Sequence, residues 1–302
     1  MQAVKMRIIS LLVLVLGLTS SKALGQTFEI RIDENKELLQ VFKKGVSVPL
    51  VIQNATRGMR PYLHPVRTPD GKGVLSEIHP SHHLHQTGIY WGLKNVNGRD
   101  YFMNSGEDYY QYQSLRVLKK TSNSVSWETV YDLLDENGVA ILRESQIWSL
   151  KEQEEMLLLD LEWQGLGLKD VKIKTFFVGG LFMRMPWTDD IAGEAINSVG
   201  SRNREEADGQ RADWVDVGME IAGLEEWGHI AILDHPHNEV SPTPWRVDKQ
   251  LGVGPSRQIL GDWQLKEGQT TSEAYRLLVY TGDLDKKKLT RLRRDYGHQS
   301  RD

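Results

Sequence analysis

The 302-residue chain carries 37 Lys and Arg against 41 Asp and Glu, a formal net charge of −4 with its nine histidines neutral, and no cysteine. That balance offers no positive field for a nucleic acid. Without thiols there are no disulfides, so the hydrophobic core must carry the fold.

Lys5 and Arg7 precede the apolar run Ile8 to Leu18, and Ala23-Leu24-Gly25 follows with small residues two apart. The run is short for a bilayer span, and the pattern is that of a Sec signal peptide covering residues 1–25, cleaved near Gly25. It predicts a periplasmic or secreted protein, with no cysteine to carry a lipid. Without that segment the chain keeps 34 basic and 41 acidic residues, a formal charge of −7. Residues 26–302 show no further hydrophobic span, linker or internal repeat, and a single domain is the expectation.

Strand patterns come next. Thr27 to Ile32 alternates apolar and charged residues, and Leu39 to Phe42 and Val46 to Ile52 are further candidates. From Leu115 to Trp187 the pattern is a meander. Ser124 to Tyr131, Ala140 to Leu150 and Met156 to Trp163 are joined by Asp135-Glu136-Asn137-Gly138 and by a polar turn at Lys151 to Glu155. Asn137-Gly138 supplies residues that tolerate positive φ in a tight hairpin. Ala212 to Ile221, Gly228 to Leu233 and Ser272 to Tyr280 read as later strands. Only the C-terminus reads as helical: Asp283 or Asp285 is the N-cap, and Leu289, Leu292 and Tyr296 form an apolar stripe that would dock on the sheets. Its Lys and Arg residues read as a solvated face, favourable near a helix C-terminus.

Three constellations carry chemistry. Four histidines fall within seven positions in His79-Pro80-Ser81-His82-His83-Leu84-His85. If the segment is extended, His83 and His85 share a face and His82 points away. Upstream, Arg60, Tyr62 and His64 share a face in a segment that Pro61 and Pro65 mark as an edge strand or irregular. The cluster suits proton transfer or hydrogen bonding. It also suits a divalent or transition metal held by His83 and His85 together with His79, His64 or a carboxylate such as Glu77, although the spacing matches no helical zinc signature. A satisfied structural cluster is the plain alternative. The second constellation is Asp234-His235-Pro236-His237-Asn238 at a strand end, followed by Trp245 and Arg246. There Asp234 could orient an imidazole, or Asp234 and Asn238 could merely hold turn amides. The third is the polar stretch Gly193 to Arg211, read as a lid or insertion. Trp91, Trp187, Trp214 and Trp245 could stack on sugar rings or fill the core.

Arg60-Pro61-Tyr62-Leu63-His64-Pro65, Thr68-Pro69-Asp70-Gly71, the run His79 to Gly92, Val96-Asn97-Gly98, Leu181 to Trp187, Ala212 to Asp216, Asp234 to Asn238 and Thr243-Pro244-Trp245 occur in one order. Together they resemble the bacterial family labelled PmoA, of the DUF6807 type, over about residues 50–285. The label echoes a membrane methane monooxygenase subunit, but the long apolar helices of such a protein are missing here, so that activity is not inherited. The resemblance implies an exported sandwich, related in shape to the galactose-mutarotase supersandwich, in bacteria that degrade polysaccharides.

The expectation is therefore an all-β protein, a large antiparallel β-sandwich with a short C-terminal helix. Its polar cleft would bind a carbohydrate or sugar derivative. His83 and His85 would act as acid, base or ligands, with His64 and Asp234 orienting them. Arg60, Tyr62, Arg67, Trp91, Arg184, His235, Asn238 and Trp245 would hold the substrate. A non-catalytic glycan-binding module and a metal-dependent oxidoreductase are the competing readings. Reaction type, cofactor and oligomeric state stay open.

Overall fold

A computed structural model describes residues 27 to 298. The expected signal peptide at 1–25 lies outside the described residues. Two eight-stranded antiparallel sheets dominate. The first takes its strands in the order Phe28–Ile32, Leu38–Lys43, Pro49–Asn54, Tyr62–Val66, Ile89–Gly92, Gly180–Met183, Val253–Pro255 and Trp245–Val247. The second runs Gly193–Asn197, Trp214–Met219, Gly228–Asp234, Thr270–Thr281, Met156–Gly167, Ala140–Gln153, Ser124–Leu134 and Tyr110–Lys120. Val171–Ile173 pairs with Trp263–Leu265 in a small third sheet.

Period-two alternation sorts the side chains into layers. Leu157, Leu159, Ile230, Ile232, Leu277 and Val279 face the first sheet's Leu63, Ile89, Trp91 and Leu181 in one large cluster between the sheets. Their alternating neighbours Met156, Leu158, Ala231, Leu233 and Leu278 form a second cluster with Leu289 and Leu292 of the C-terminal helix. Tyr90 and Phe182 alternate with Trp91 and Leu181, and with Phe102 and Val178 they form a third cluster on the outer side of the first sheet. Strands covered on both faces lose the apolar-polar alternation, and all four residues of Ile89–Gly92 are buried.

The meander and the helix form where expected. Gly138 takes φ +76°, and the Asp135 carboxylate accepts from the Asn137 and Val139 amides at 2.8 and 2.9 Å. Of the Asn137-Gly138 pair only the glycine has positive φ. The two-residue turn with positive φ at both positions is Glu154-Glu155, at 51° and 63°. Glu154 there meets Lys288 at 3.2 Å and Arg291 at 3.7 Å. The helix Lys286–Gly297 is capped by Asp285, whose carboxylate accepts from the Lys288 amide at 2.9 Å. Three lysines therefore occupy its first turn, the unfavourable end for cations, so the C-terminal argument covers only Arg294.

Two further expectations change. Tyr62–Val66 is an interior strand, between Pro49–Asn54 and Ile89–Gly92. Pro65 is tolerated because it sits beside a register shift between Val51 and Gln53 and beyond the two residue pairs made with Ile89–Gly92. The stretch Gly193 to Arg211 is no lid. It supplies the edge strand Gly193–Asn197 and a short helix, Asn203–Ala207, whose Asn203 side chain accepts from the Ala195 amide at 2.9 Å. Among the described residues, no helix is long and apolar enough to cross a membrane.

Candidate functional site

The histidine run is a closed loop of two turns, not a strand. His83 N donates to Pro80 O at 2.8 Å, Gln86 N to His83 O at 3.0 Å, and His79 N to Gln86 O at 2.8 Å. Gly88 ends it at φ +77°, where a Cβ would lie 2.3 Å from the Leu63 carbonyl oxygen, so the loop can rest on the strand Tyr62–Val66 only with glycine here. The turns bring all of His82, His83 and His85 together. The His83 and His85 ring centres are 5.7 Å apart, and the His82 and His83 Nδ1 atoms are 2.9 Å apart, so His82 does not point away.

Buried polar contacts clamp this loop. Gln86 accepts from Arg184 Nε, and the Arg184 guanidinium pairs with Asp248 and donates to Gln250 O at 2.6 Å. Gly252 lets the chain pass: a Cβ there would be 2.4 Å from Arg184 Nη2 and 2.6 Å from Asp248 Oδ2. Arg60 is wholly buried, its guanidinium 3.7 Å from the Tyr90 ring centre, and donates to the Phe102 and His85 carbonyls. It is a buried cation held at its two terminal nitrogens by carbonyls, with Nε unpartnered, and its field reaches His85. Asp100 accepts from the Phe102 and Met103 amides at 3.0 Å each and pairs with Lys94. Gln258, also buried, joins Lys94 to the 174–176 segment through Lys94 O at 2.8 Å and Lys174 O at 2.7 Å.

These segments enclose a cavity of about 210 Å³. Its lining is part polar, from His83, His85, Gln86, Lys94, Arg246 and Asp248, and part apolar, from Phe102, Met103, Phe177, Val178 and Phe182. Burial lowers the His85 pKa to about 4, with Arg60, His83 and Lys94 pushing the same way. His83 is lowered by burial and Arg184, with Asp248 opposing. Both imidazoles are therefore neutral near pH 7, each able to donate from one nitrogen and accept at the other.

The remaining predicted residues lie elsewhere. His64 Nδ1 hydrogen-bonds Ser76 Oγ at 3.0 Å, and the same hydroxyl accepts from the Val66 amide at 2.9 Å. His64 does not line the cavity. Its pKa is lowered by burial, Arg67 and His79. Arg67 is likewise outside the cavity, and Tyr62 packs against the aromatic cluster beneath it. Trp91 is 2% exposed and stacks on Trp163 at 4.3 Å, and Trp245 is buried with Nε1 donating to Ala212 O at 2.8 Å. Both belong to the core, and neither can stack on a ligand from there.

Asp234 is fully buried and closes a knot. It accepts from Asn238 Nδ2 at 2.7 Å, Thr243 N at 2.9 Å and Thr243 Oγ1 at 3.2 Å, and its carbonyl takes Arg293 Nε at 3.0 Å. Asn238 also bridges both backbone groups of Ala274, and His235 packs edge-on against Tyr296 at 4.5 Å. Asp234 therefore orients Asn238 and Thr243, not a histidine of the loop. Of the proposed metal set His79, His83 and His85, only His83 and His85 line the cavity, and His79 Nδ1 lies 2.6 Å from Leu84 O. Among the described residues, no three His, Cys, Asp or Glu groups are placed to hold a metal ion.

Sequence reasoning missed Gln86, Lys94, Asp248 and the aromatic lining. Phe176-Phe177, an aromatic pair outside any alternating run, was the readable signal; Asp248 carried none.

The family model for the family of unknown function DUF6807 matches residues 48–294. The chain belongs to that family. The DUF6807 match covers the second sheet, the first sheet from Pro49–Asn54 onward and most of the C-terminal helix, and leaves out the strands Phe28–Ile32 and Leu38–Lys43. No curated protein matches the chain. Among solved structures, galactose 1-epimerase from Lactobacillus acidophilus is similar with a TM-score of 0.41 at 9% identity, over 85% of this chain and 98% of that one. The α-galactosidase AgaA from Geobacillus stearothermophilus is similar with a TM-score of 0.40 at 9% identity, over 77% of this chain and 39% of that one. The chain spans 39% and 42% of the two α-galactosidase structures it matches. No residue role is transferred from these likenesses.

Proposed function

We propose that this DUF6807 protein is exported and carbohydrate-active, taking one sugar ring or sugar derivative into the histidine-loop cleft. The observation that carries the reading is that two neutral imidazoles, 5.7 Å apart, and aromatic side chains line one cavity of about 210 Å³. Sugar rings present apolar C–H faces and a rim of hydroxyls, which such a mixed lining matches. The volume is below the roughly 300 to 1,000 Å³ of drug-sized pockets, so it suits a single ring.

The two histidines take different parts. Burial and Arg184 lower His83 while Asp248 opposes part of that lowering, so His83 rather than His85 takes the proton-transfer part. His85, held near pKa 4, is a weak base at neutral pH and serves as a hydrogen-bonding partner to a hydroxyl. Export is supported by the Lys5, Arg7 and Ile8 to Leu18 pattern.

Calorimetry and turnover assays on a panel of neutral and acidic monosaccharides and their glycosides test this. His83→Gln should lower turnover by about 10²- to 10⁴-fold with little change in Kd, and His85→Ala should weaken binding. Sugar binding without turnover in the wild type would move the cleft to the glycan-binding reading. Binding indifferent to both substitutions would remove the site.

A further inference from the structure

We propose that the ligand of this cleft carries an aromatic aglycone, as an aryl glycoside or aryl sugar ester does. The inference rests on the sugar reading above and adds the chemistry of the group outside the cavity.

Two exposed apolar side chains line the cavity from two separate loops. Met103 is 47% exposed on the turn held by Asp100, and Phe177 is 57% exposed beside Val178. Phe177 is held in place: the Phe176 ring centre is 4.4 Å away and the Arg246 guanidinium 5.0 Å. Single exposed hydrophobics need no explanation, but a set gathered around one cavity marks a binding surface. The cavity has room for one ring, so any substituent on that ring must leave through the mouth and cross Met103 and Phe177. Apolar side chains recognise a flat apolar group, and the nearby guanidinium favours an aromatic face. The apolar lining thus includes buried Phe182 and Phe102 and exposed Phe177 and Met103.

The test is calorimetry of the full chain with glucose, galactose and glucuronic acid, with the para-nitrophenyl glycoside of each, and with para-nitrophenol alone. One sugar should bind, and its aryl glycoside should bind about 10-fold more tightly or better, as burial of about 60 Å² of apolar surface gives. Phe177→Ala with Met103→Ser, both at exposed positions, should abolish that gain, so that the free sugar and its aryl glycoside bind the double variant with Kd values within about 2-fold of each other. Equal affinity for sugar and aryl glycoside overturns the inference and leaves the sugar reading intact, as does a gain that survives the double variant. Para-nitrophenol binding as tightly as the glycoside, with no sugar binding, removes both. Binding of none of these probes also removes both. A dimer by sedimentation velocity that Phe177→Ala dissociates would assign the rim to self-association and overturn the inference.

Discussion

The loop His79 to Gln86 and the strand end Asp234 to Asn238 both combine histidines with a proline and a terminal amide, yet one borders a cavity and the other is sealed. The difference lies in where their polar atoms find partners. In the strand end, the Asp234 carboxylate takes three hydrogen bonds from Asn238 and Thr243, and the helix closes over it through Arg293. In the loop, the backbone and Gln86 absorb the internal contacts, which leaves the His83 and His85 rings on the cavity wall. A cluster of polar residues becomes a site when the scaffold meets its own hydrogen-bonding needs with other atoms.

The largest expected effect is on the sealed side. Asp234→Ala leaves the Thr243 amide and Asn238 without their acceptor inside a dry region and should cost about 3 to 5 kcal/mol in urea unfolding. Sugar affinity of the folded fraction should not change. A loss of affinity with unchanged stability would erase the contrast between the two regions.

Arg184→Ala tests the clamp beneath the loop. It strips the buried Asp248 of its cation and frees Gln86, so a loss of about 3 kcal/mol is expected together with loss of ligand binding. Normal affinity in this variant would show that the loop holds its shape unaided.

The pH dependence is smaller. The folded pKa of His85 is about 4, below the ordinary histidine value of 6.5, so the neutral ring is favoured in the folded protein. Its contribution to stability is full above about pH 6.5 and is lost as pH falls through about 4. With allowance for solvent screening at this half-buried group, the loss is on the order of 1 to 2 kcal/mol. His85→Asn should flatten that part of the stability profile, measured by denaturation between pH 7 and 4. An unchanged slope would mean that the ring sits in ordinary solvent. Smallest of all, His79→Ala removes a ring contact to Leu84 O at the surface and should cost less than about 1 kcal/mol in the same assay.

The same contrast explains what could be read in advance. Ser124 to Tyr131 and its neighbours are legible because one face meets the core and the other meets water, and Leu289, Leu292 and Tyr296 because the helix buries one stripe. Gly180–Met183 and Val253–Pro255 are short and buried on both sides, so no alternation marks them. His83 and His85 were legible by density alone. Arg184 was legible as a residue of interest but not as a clamp, since its partners Gln86 and Asp248 lie 98 and 64 positions away. Asp234 and Trp245 misled because charge and aromaticity suggest a ligand equally well when the partner is the protein itself.

The contrast between the open loop and the sealed strand end is tested most directly by following the imidazole nitrogen resonances of the whole set of histidines while titrating whichever sugar or aryl glycoside binds. His83 and His85 should shift in step with occupancy, and His235 and His237 should stay silent. Shifts at His235 and His237 with none at His83 and His85 would contradict the account.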